Sequence, residues 1–219
     1  MKLPIFAIYG ASGFGREVMP LMNENIEKLN ISKDRLVFID DDSELTDVNG
    51  YQVLSYGKFL AIDASSRYVA IAIANASIRE KLSVGCKDDG IELLSVIANN
   101  VVSMDCVDIG EGAILSPFVT LTSNIIIGKH FHANIYSYVA HDCVIGDFVT
   151  FSPGAKCNGN VIIGDGAYIG TGAIIKQGQP GKPISIGKGA VIGMGAIVTK
   201  DVLPGVTVVG NPAKPLTSK

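Results

Sequence analysis

From Ile97 to Ile175 an aliphatic or small residue returns at every sixth position, Leu115, Leu121, Ile127, Val139 and Ile169 among them, and only Ser103 is plainly polar. Four places after each comes a second, mostly small series that includes Ala113, Val119, Cys143, Ala155 and Ala167. A period of six fits neither the 3.6-residue turn of a helix nor the two-residue alternation of a half-buried strand. It fits a solenoid in which each hexapeptide makes one short strand and a corner. Three hexapeptides then close an 18-residue coil, and stacked coils bury a continuous apolar axis. Gly110, Gly128, Gly146 and Gly164 lie 18 apart, as one corner glycine per coil would. The segment from Gln177 to Pro183 is too rich in Gly and Pro for a strand, and the frame resumes five residues late at Ile186, Ile192 and Val198. The repeats make nearly six coils, a stack of roughly 27 Å.

Ahead of the repeats the pattern changes. A strand from Ile5 to Tyr9 runs into Gly10-Ala11-Ser12-Gly13-Phe14-Gly15, and a helix is predicted from Arg16 to about Leu29. Further strands are predicted at Leu36 to Ile39, ending in Asp40-Asp41-Asp42, and at Tyr68 to Ala74, with a helix from Ser77 to about Val84. Strands alternating with helices imply a parallel sheet with ligands at the carboxyl ends of its strands. The glycine turn can offer backbone N–H groups to a phosphate. Its GxxGxG spacing departs from the dinucleotide fingerprint GxGxxG. Asp40 and Asp41 stand where carboxylates can accept hydrogen bonds from a ribose or a base edge; the alternative is that glycine and aspartate simply make tight strand-to-helix turns. Two domains are therefore expected: a small Rossmann-like α/β unit over residues 1–90, and a parallel β-helix with a C-terminal cap over residues 91–219.

Composition narrows the function classes. In 219 residues with 47% hydrophobic content, no apolar run approaches the length that spans a bilayer. The apolar start lacks a small-residue cleavage site and reads as a first strand. Cys86, Cys106, Cys143 and Cys157 show no CxxC spacing, so reduced thiols in a cytoplasmic protein are expected rather than disulfide or metal partners. A net charge of −3 gives no case for nucleic acid. Charge is uneven, however: from Lys176 onward there are six lysines against the single Asp201, while Ile97 to Ile175 holds two lysines and six acids. A basic end suits either a polyphosphate ligand or a solvated cap.

The repeat, with the tail Val208-Val209-Gly210-Asn211-Pro212-Ala213-Lys214, resembles the hexapeptide-repeat acyltransferases, which implies a left-handed coil and a homotrimer with grooves between rods. In the first domain Tyr9-Gly10-Ala11-Ser12-Gly13, Phe38-Ile39-Asp40-Asp41 and Ala72-Ile73-Ala74-Asn75 with Ile78-Arg79-Lys81 are similar to the sugar-nucleotide N-acetyltransferases of bacillosamine-type pathways. That resemblance implies acetyl-CoA-dependent acetylation of the 4-amino group of a UDP-linked 4-amino-4,6-dideoxy-N-acetyl-hexosamine, with no metal. It places Ser12, Gly13 and Phe14 near the diphosphate and sugar, Asp40 and Asp41 near the uridine, and Ala74 beside it. Thr150, Gly159, Thr171 and Met194 match cofactor positions, and Asn134 a position that touches substrate or thioester. Phe14 and Thr150 stand where some relatives carry histidine. The insertion from Gln177 to Pro183 is expected to wall the cofactor groove.

Of three histidines, His141 falls at a corner of its hexapeptide, so its ring should project outward; His130 and His132 are expected at the surface or an interface. His141-Asp142 resembles the family's catalytic pair. An amine attacks a thioester only as the free base, and a neutral imidazole can take its proton near neutral pH. Asp142 would orient the ring and stabilise the imidazolium, and a backbone N–H from a neighbouring turn would meet the oxyanion. Three other readings compete: an O-acetyltransferase on sialic acid or a related sugar, a γ-carbonic-anhydrase-like metal enzyme using the three imidazoles, and a non-catalytic nucleotide-sugar-binding scaffold.

Overall fold

The computed structural model describes residues 2–216 except Leu29 and Ser43; the expected helix end at Leu29 and the last lysine, Lys219, lie outside the described residues. The chain divides into two compact units, Met1–Ile97 and Ala98–Lys219.

The first unit is a Rossmann-like α/β sandwich. Its elements run β1 (Ile5–Tyr9), α1 (Gly13–Glu27), β2 (Leu36–Ile39), β3 (Asp47–Val48), β4 (Tyr51–Leu54), α2 (Tyr56–Leu60), β5 (Arg67–Ile71), α3 (Ala76–Asp88) and β6 (Glu92–Leu93). The sheet order is β3-β4-β2-β1-β5-β6, parallel except for the β3–β4 hairpin. All residues of β1 and β2 are buried, as expected of strands covered on both faces. Helix α3 outruns its predicted end near Val84, reaching Asp88. The β3–β4 hairpin, α2 and β6 had no periodic signal strong enough to find them. Because β6 pairs with β5, the segment after residue 90 still belongs to this sheet.

The second unit is the left-handed parallel β-helix. Strands two or three residues long pair in parallel with partners 18 residues on: Ile114 with His132, His132 with Thr150, and Thr150 with Tyr168. Tyr168 then pairs with Val191, 23 residues away, which is one coil lengthened by the five-residue insertion. The insertion closes as a small hairpin through Gln179 and Lys182. From Leu115 to Val198 the sixth-position series is buried, and the small series fills the space between. In the first coil Val101, Val107 and Ile109 are only partly covered. Each buried aliphatic contributes about 1.5–3 kcal/mol relative to exposure. The core is therefore summed along the axis rather than gathered at one centre.

The corners follow their own six-residue rule. Every sixth residue from Cys106 to Gly172 has positive φ, including Phe118, His130, Tyr136, Asp142 and Phe148. Bulky side chains ordinarily avoid that region. Stacking between coils offsets the cost: Phe118 and Tyr136 rings lie 4.9 Å apart, and His130 and Phe148 rings 5.0 Å apart, both nearly parallel. One coil rises by about 4.8 Å, so ring stacking and strand pairing share a spacing. The glycine column has a different cause. A Cβ on Gly146 would sit 2.5 Å from Asp165 Oδ1 and 3.0 Å from the Gly164 carbonyl carbon, so glycine is required there by the close approach of the next coil.

His130 and His132 are not surface residues. Both are buried, His130 sandwiched between Phe148 and the Cα of Gly112, and His132 in a strand between Ile114 and Thr150.

Candidate active site

His141 and Asp142 occupy the corner between the strands Tyr138–Val139 and Val144–Ile145. Neighbouring coils clamp this corner from both sides: Asp142 N donates to the Ser123 carbonyl at 3.1 Å, and the His141 carbonyl accepts from Asn160 N at 2.9 Å. The left-handed backbone of Asp142, φ 57°, turns its carboxylate back toward the preceding side chain. Asp142 Oδ2 lies 2.7 Å from His141 Nδ1, and Oδ1 accepts from Asn124 Nδ2 at 3.4 Å. The hydrogen bond from His141, followed by that from Asn124, holds the Asp142 carboxyl below its ordinary pKa. With Nδ1 donating to the carboxylate, Nε2 keeps the lone pair and is the available base. The two side chains are 46% and 47% exposed, so the ring projects from the rod as its corner position required.

Gly159, one coil further, is the floor of this site. A Cβ built there would stand 2.5 Å from His141 Nε2 and Cε1, so the imidazole lies against a bare Cα that no other residue could supply. The Gly159 N–H makes no backbone hydrogen bond among the described residues, although its carbonyl accepts from Gly178 N at 2.9 Å. Beside it Tyr138 Oη donates to Asn158 Oδ1 at 2.9 Å, and Asn158 Nδ2 to the Ile175 carbonyl at 2.7 Å, a brace for the same corner.

The other solenoid candidates fall elsewhere. Asn134 spends its amide on the Phe151 carbonyl at 2.8 Å. Thr150 is only 4% exposed, in register between His132 and Tyr168. Thr171 and Met194 stack on one another, with Met194 82% exposed, at the corner between the strands ending at Ile169 and starting at Ile174. That is a different corner of the triangle from the one carrying His141 and Gly159. Within one chain, therefore, Thr171 and Met194 do not join the His141 site.

At the carboxyl ends of β1, β2 and β5 in the first unit lies a cavity of about 180 Å³ lined by Tyr9, Gly10, Asp40, Asp41, Ile73 and Ile78 among others. This is the crevice where an open parallel sheet ordinarily binds ligand. Gly15 is forced by the turn beneath it, since a Cβ there would overlap the Gly10 carbonyl. Ser12 is the N-cap of α1, but its hydroxyl makes no capping bond, and Ser12 and Gly13 are exposed with Phe14 half-buried behind them. All four oxygens of the two carboxylates accept from the protein. Asp40 takes Ala11 N at 3.0 Å and Asp42 N at 3.2 Å; Asp41 takes Tyr9 Oη at 2.6 Å and Tyr56 N at 2.8 Å. Burial first, and Asp41 second, push the Tyr9 hydroxyl's pKa far up, so it remains a donor. Ala74 is exposed at the rim.

Arg79 is a residue whose role the sequence did not reveal. Fully buried, it donates from Nη1 to the Ile73 carbonyl at 2.7 Å and the Ala74 carbonyl at 3.2 Å, fixing the loop that edges the cavity. Desolvation lowers its pKa to about 10, which leaves it charged near neutral pH. No group of three or more His, Cys, Asp or Glu that could hold a metal occurs among the described residues, and no described helix is long and apolar enough to cross a membrane.

The PglD N-terminal domain family matches residues 6–84. The GDP-perosamine N-acetyltransferase of Escherichia coli O157:H7 is 52% identical over 210 residues, covering 96% of this chain and 95% of that protein. Among solved structures, WeeI from Acinetobacter baumannii AYE matches with a TM-score of 0.95 at 60% identity, over 97% of this chain and 100% of that one. The acetyltransferase domain of PglB from Neisseria gonorrhoeae FA1090, in complex with acetyl coenzyme A, matches with a TM-score of 0.85 at 29% identity, over 99% and 100%.

Proposed function

The chain belongs to the hexapeptide-repeat sugar N-acetyltransferases, and we propose that it carries the acetyl group of acetyl-CoA to the 4-amino group of a nucleotide-linked 4-amino-4,6-dideoxy sugar, with His141 as general base. The observation that carries this reading is the outward imidazole held at 2.7 Å by Asp142 against the bare Cα of Gly159. His141 Nε2 takes the proton as the amine nitrogen bonds to the thioester carbon. The oxygen of the tetrahedral intermediate finds its donor in the Gly159 N–H. Collapse then breaks the C–S bond, and the thiolate leaves with the proton that His141 had taken, which returns the imidazole to its neutral form. No acyl-enzyme is needed, because the thioester is already activated.

The sugar nucleotide is assigned to the first unit's cavity, with Ser12, Gly13 and Phe14 facing its diphosphate and sugar. Asp40, Asp41 and Ala74 are assigned to its nucleoside. The motifs there favour a UDP carrier. The 52% identity to a GDP-perosamine N-acetyltransferase favours a second reading, in which the carrier is GDP. The chemistry at His141 serves both.

A homotrimer completes the donor site. Thr171 and Met194 occupy one corner of the coil and His141 another, so the two sets can face one groove only if separate copies lie side by side. The aligned, exposed Ile126, Val144 and Ile162 supply an apolar face for such packing. Reduced cysteines and a CoA donor suit work in the cytoplasm. A thiol-release assay against UDP-, dTDP- and GDP-linked 4-amino sugars tests the assignment: release with free 4-amines supports it, and release with hydroxyl acceptors alone overturns it.

A further inference from the structure

Along the corner that carries His141, the next coils bring Gly159, then Gln177, then Lys200. Here the five-residue insertion walls one side of an open cavity of about 640 Å³ whose lining includes Lys176, Gln177, Lys182, Thr199, Lys200 and Asp201. No ion pair holds Lys176, Lys182 or Lys200 among the described residues, although Lys129 and Lys188 elsewhere on the rod are paired with Glu111 and Asp165. The single acid, Asp201, is already engaged, its Oδ1 accepting from Ser185 N at 2.9 Å. Three unneutralised ammonium groups around one hollow make a positive seat that favours a multiply charged anion.

The distances along the rod identify the anion. At about 4.8 Å per coil, Gln177 lies about 10 Å and Lys200 about 14 Å beyond the His141 coil. A pantetheine arm, comparable in length to about four extended residues, reaches roughly 14 Å. A thioester placed at His141 and Gly159 therefore delivers the phosphates at the other end of that arm into the lysine cavity. We infer that Lys176, Lys182 and Lys200, brought together by the insertion, bind the phosphates of CoA and make the enzyme selective for CoA over donors that lack them. This rests on the acetyl-CoA-dependent reading above.

Calorimetric titration separates the two claims, since binding of CoA does not depend on which sugar accepts the acetyl group. The variant Lys176→Ala/Lys182→Ala/Lys200→Ala should bind CoA about tenfold more weakly than wild type, each exposed contact contributing a factor of about 2–3. Pantetheine, which has no phosphate, should bind both proteins alike. The wild-type affinity for CoA should fall with added salt more steeply than that of the variant. Replacing the three lysines by arginine, which keeps charge, should restore most of the affinity and guards against a misfolded alanine variant. Equal CoA affinity in wild type and alanine variant overturns the inference. So does a loss seen with UDP or GDP instead of CoA, which would give the cavity to the sugar nucleotide. Intact lysine-dependent CoA binding without transfer to any amino sugar would sink the reaction assigned above and leave this inference standing.

Discussion

Asp142 Oδ2 stands 2.7 Å from His141 Nδ1, and the left-handed turn at Asp142 makes that contact between sequence neighbours possible. In an extended strand adjacent side chains point to opposite faces; the corner brings them together. Replacing Asp142 by asparagine keeps the shape and removes the charge that stabilises the imidazolium. The expected result is a kcat loss of about 10- to 100-fold with little change in KM. A wild-type kcat in Asp142→Asn would show that the pair does not act together.

The same hydrogen bond links to stability with a definite sign. Asp142's carboxyl has a lower pKa folded than unfolded, with the bond from His141 as the chief cause. Its contribution is present above the ordinary carboxylate range and is lost as pH falls through the folded value. The difference in denaturant midpoint between wild type and Asp142→Asn should therefore shrink on acidification below that range.

Gly159→Ala places a methyl group where the imidazole lies, 2.5 Å from two ring atoms. We expect a fall in kcat of at least about 100-fold, in keeping with loss of a general base, while the circular dichroism spectrum is unchanged. A fully active Gly159→Ala enzyme would mean that the ring does not rest there during turnover.

In the first unit Asp40 accepts from Ala11 N across the turn that follows β1. Asp40→Ala should loosen that turn and raise KM for the sugar nucleotide several-fold while leaving KM for acetyl-CoA unchanged. Initial-rate kinetics with each substrate varied in turn measure both. A change in the acetyl-CoA KM alone would contradict the division of labour.

Phe151 fills the axis of the rod, fully buried and edge-on to Phe131 at 5.3 Å. Phe151→Ala should cost about 3–5 kcal/mol, the usual range for a buried phenylalanine, read as a lowered denaturant midpoint. A cost under about 1 kcal/mol would mean that the coils close over the gap.

The solenoid was legible because its period is unlike any other element's. Leu115 through Val198 appear in the core where the six-residue frame put them, displaced by five after the insertion. His130 and His132 show where legibility ended. Alternation tells which side of a strand or corner a side chain takes, but not whether that side is open, and both rings are buried. The hairpin through Tyr51–Leu54 and the one-turn helix Tyr56–Leu60 were invisible because each is too short to show a period. Gly159 could be picked out by resemblance. Its close approach to His141 depends on residues 18 apart meeting across a coil, which only the fold reveals.

His141 as general base is tested by CoA release from wild type and His141→Ala with a nucleotide-linked 4-amino sugar, alongside CoA titration of both. Wild type should release CoA only when the amine is present, and the variant should lose at least about 100-fold in rate while keeping its CoA affinity. A His141→Ala enzyme that releases CoA at the wild-type rate would contradict it.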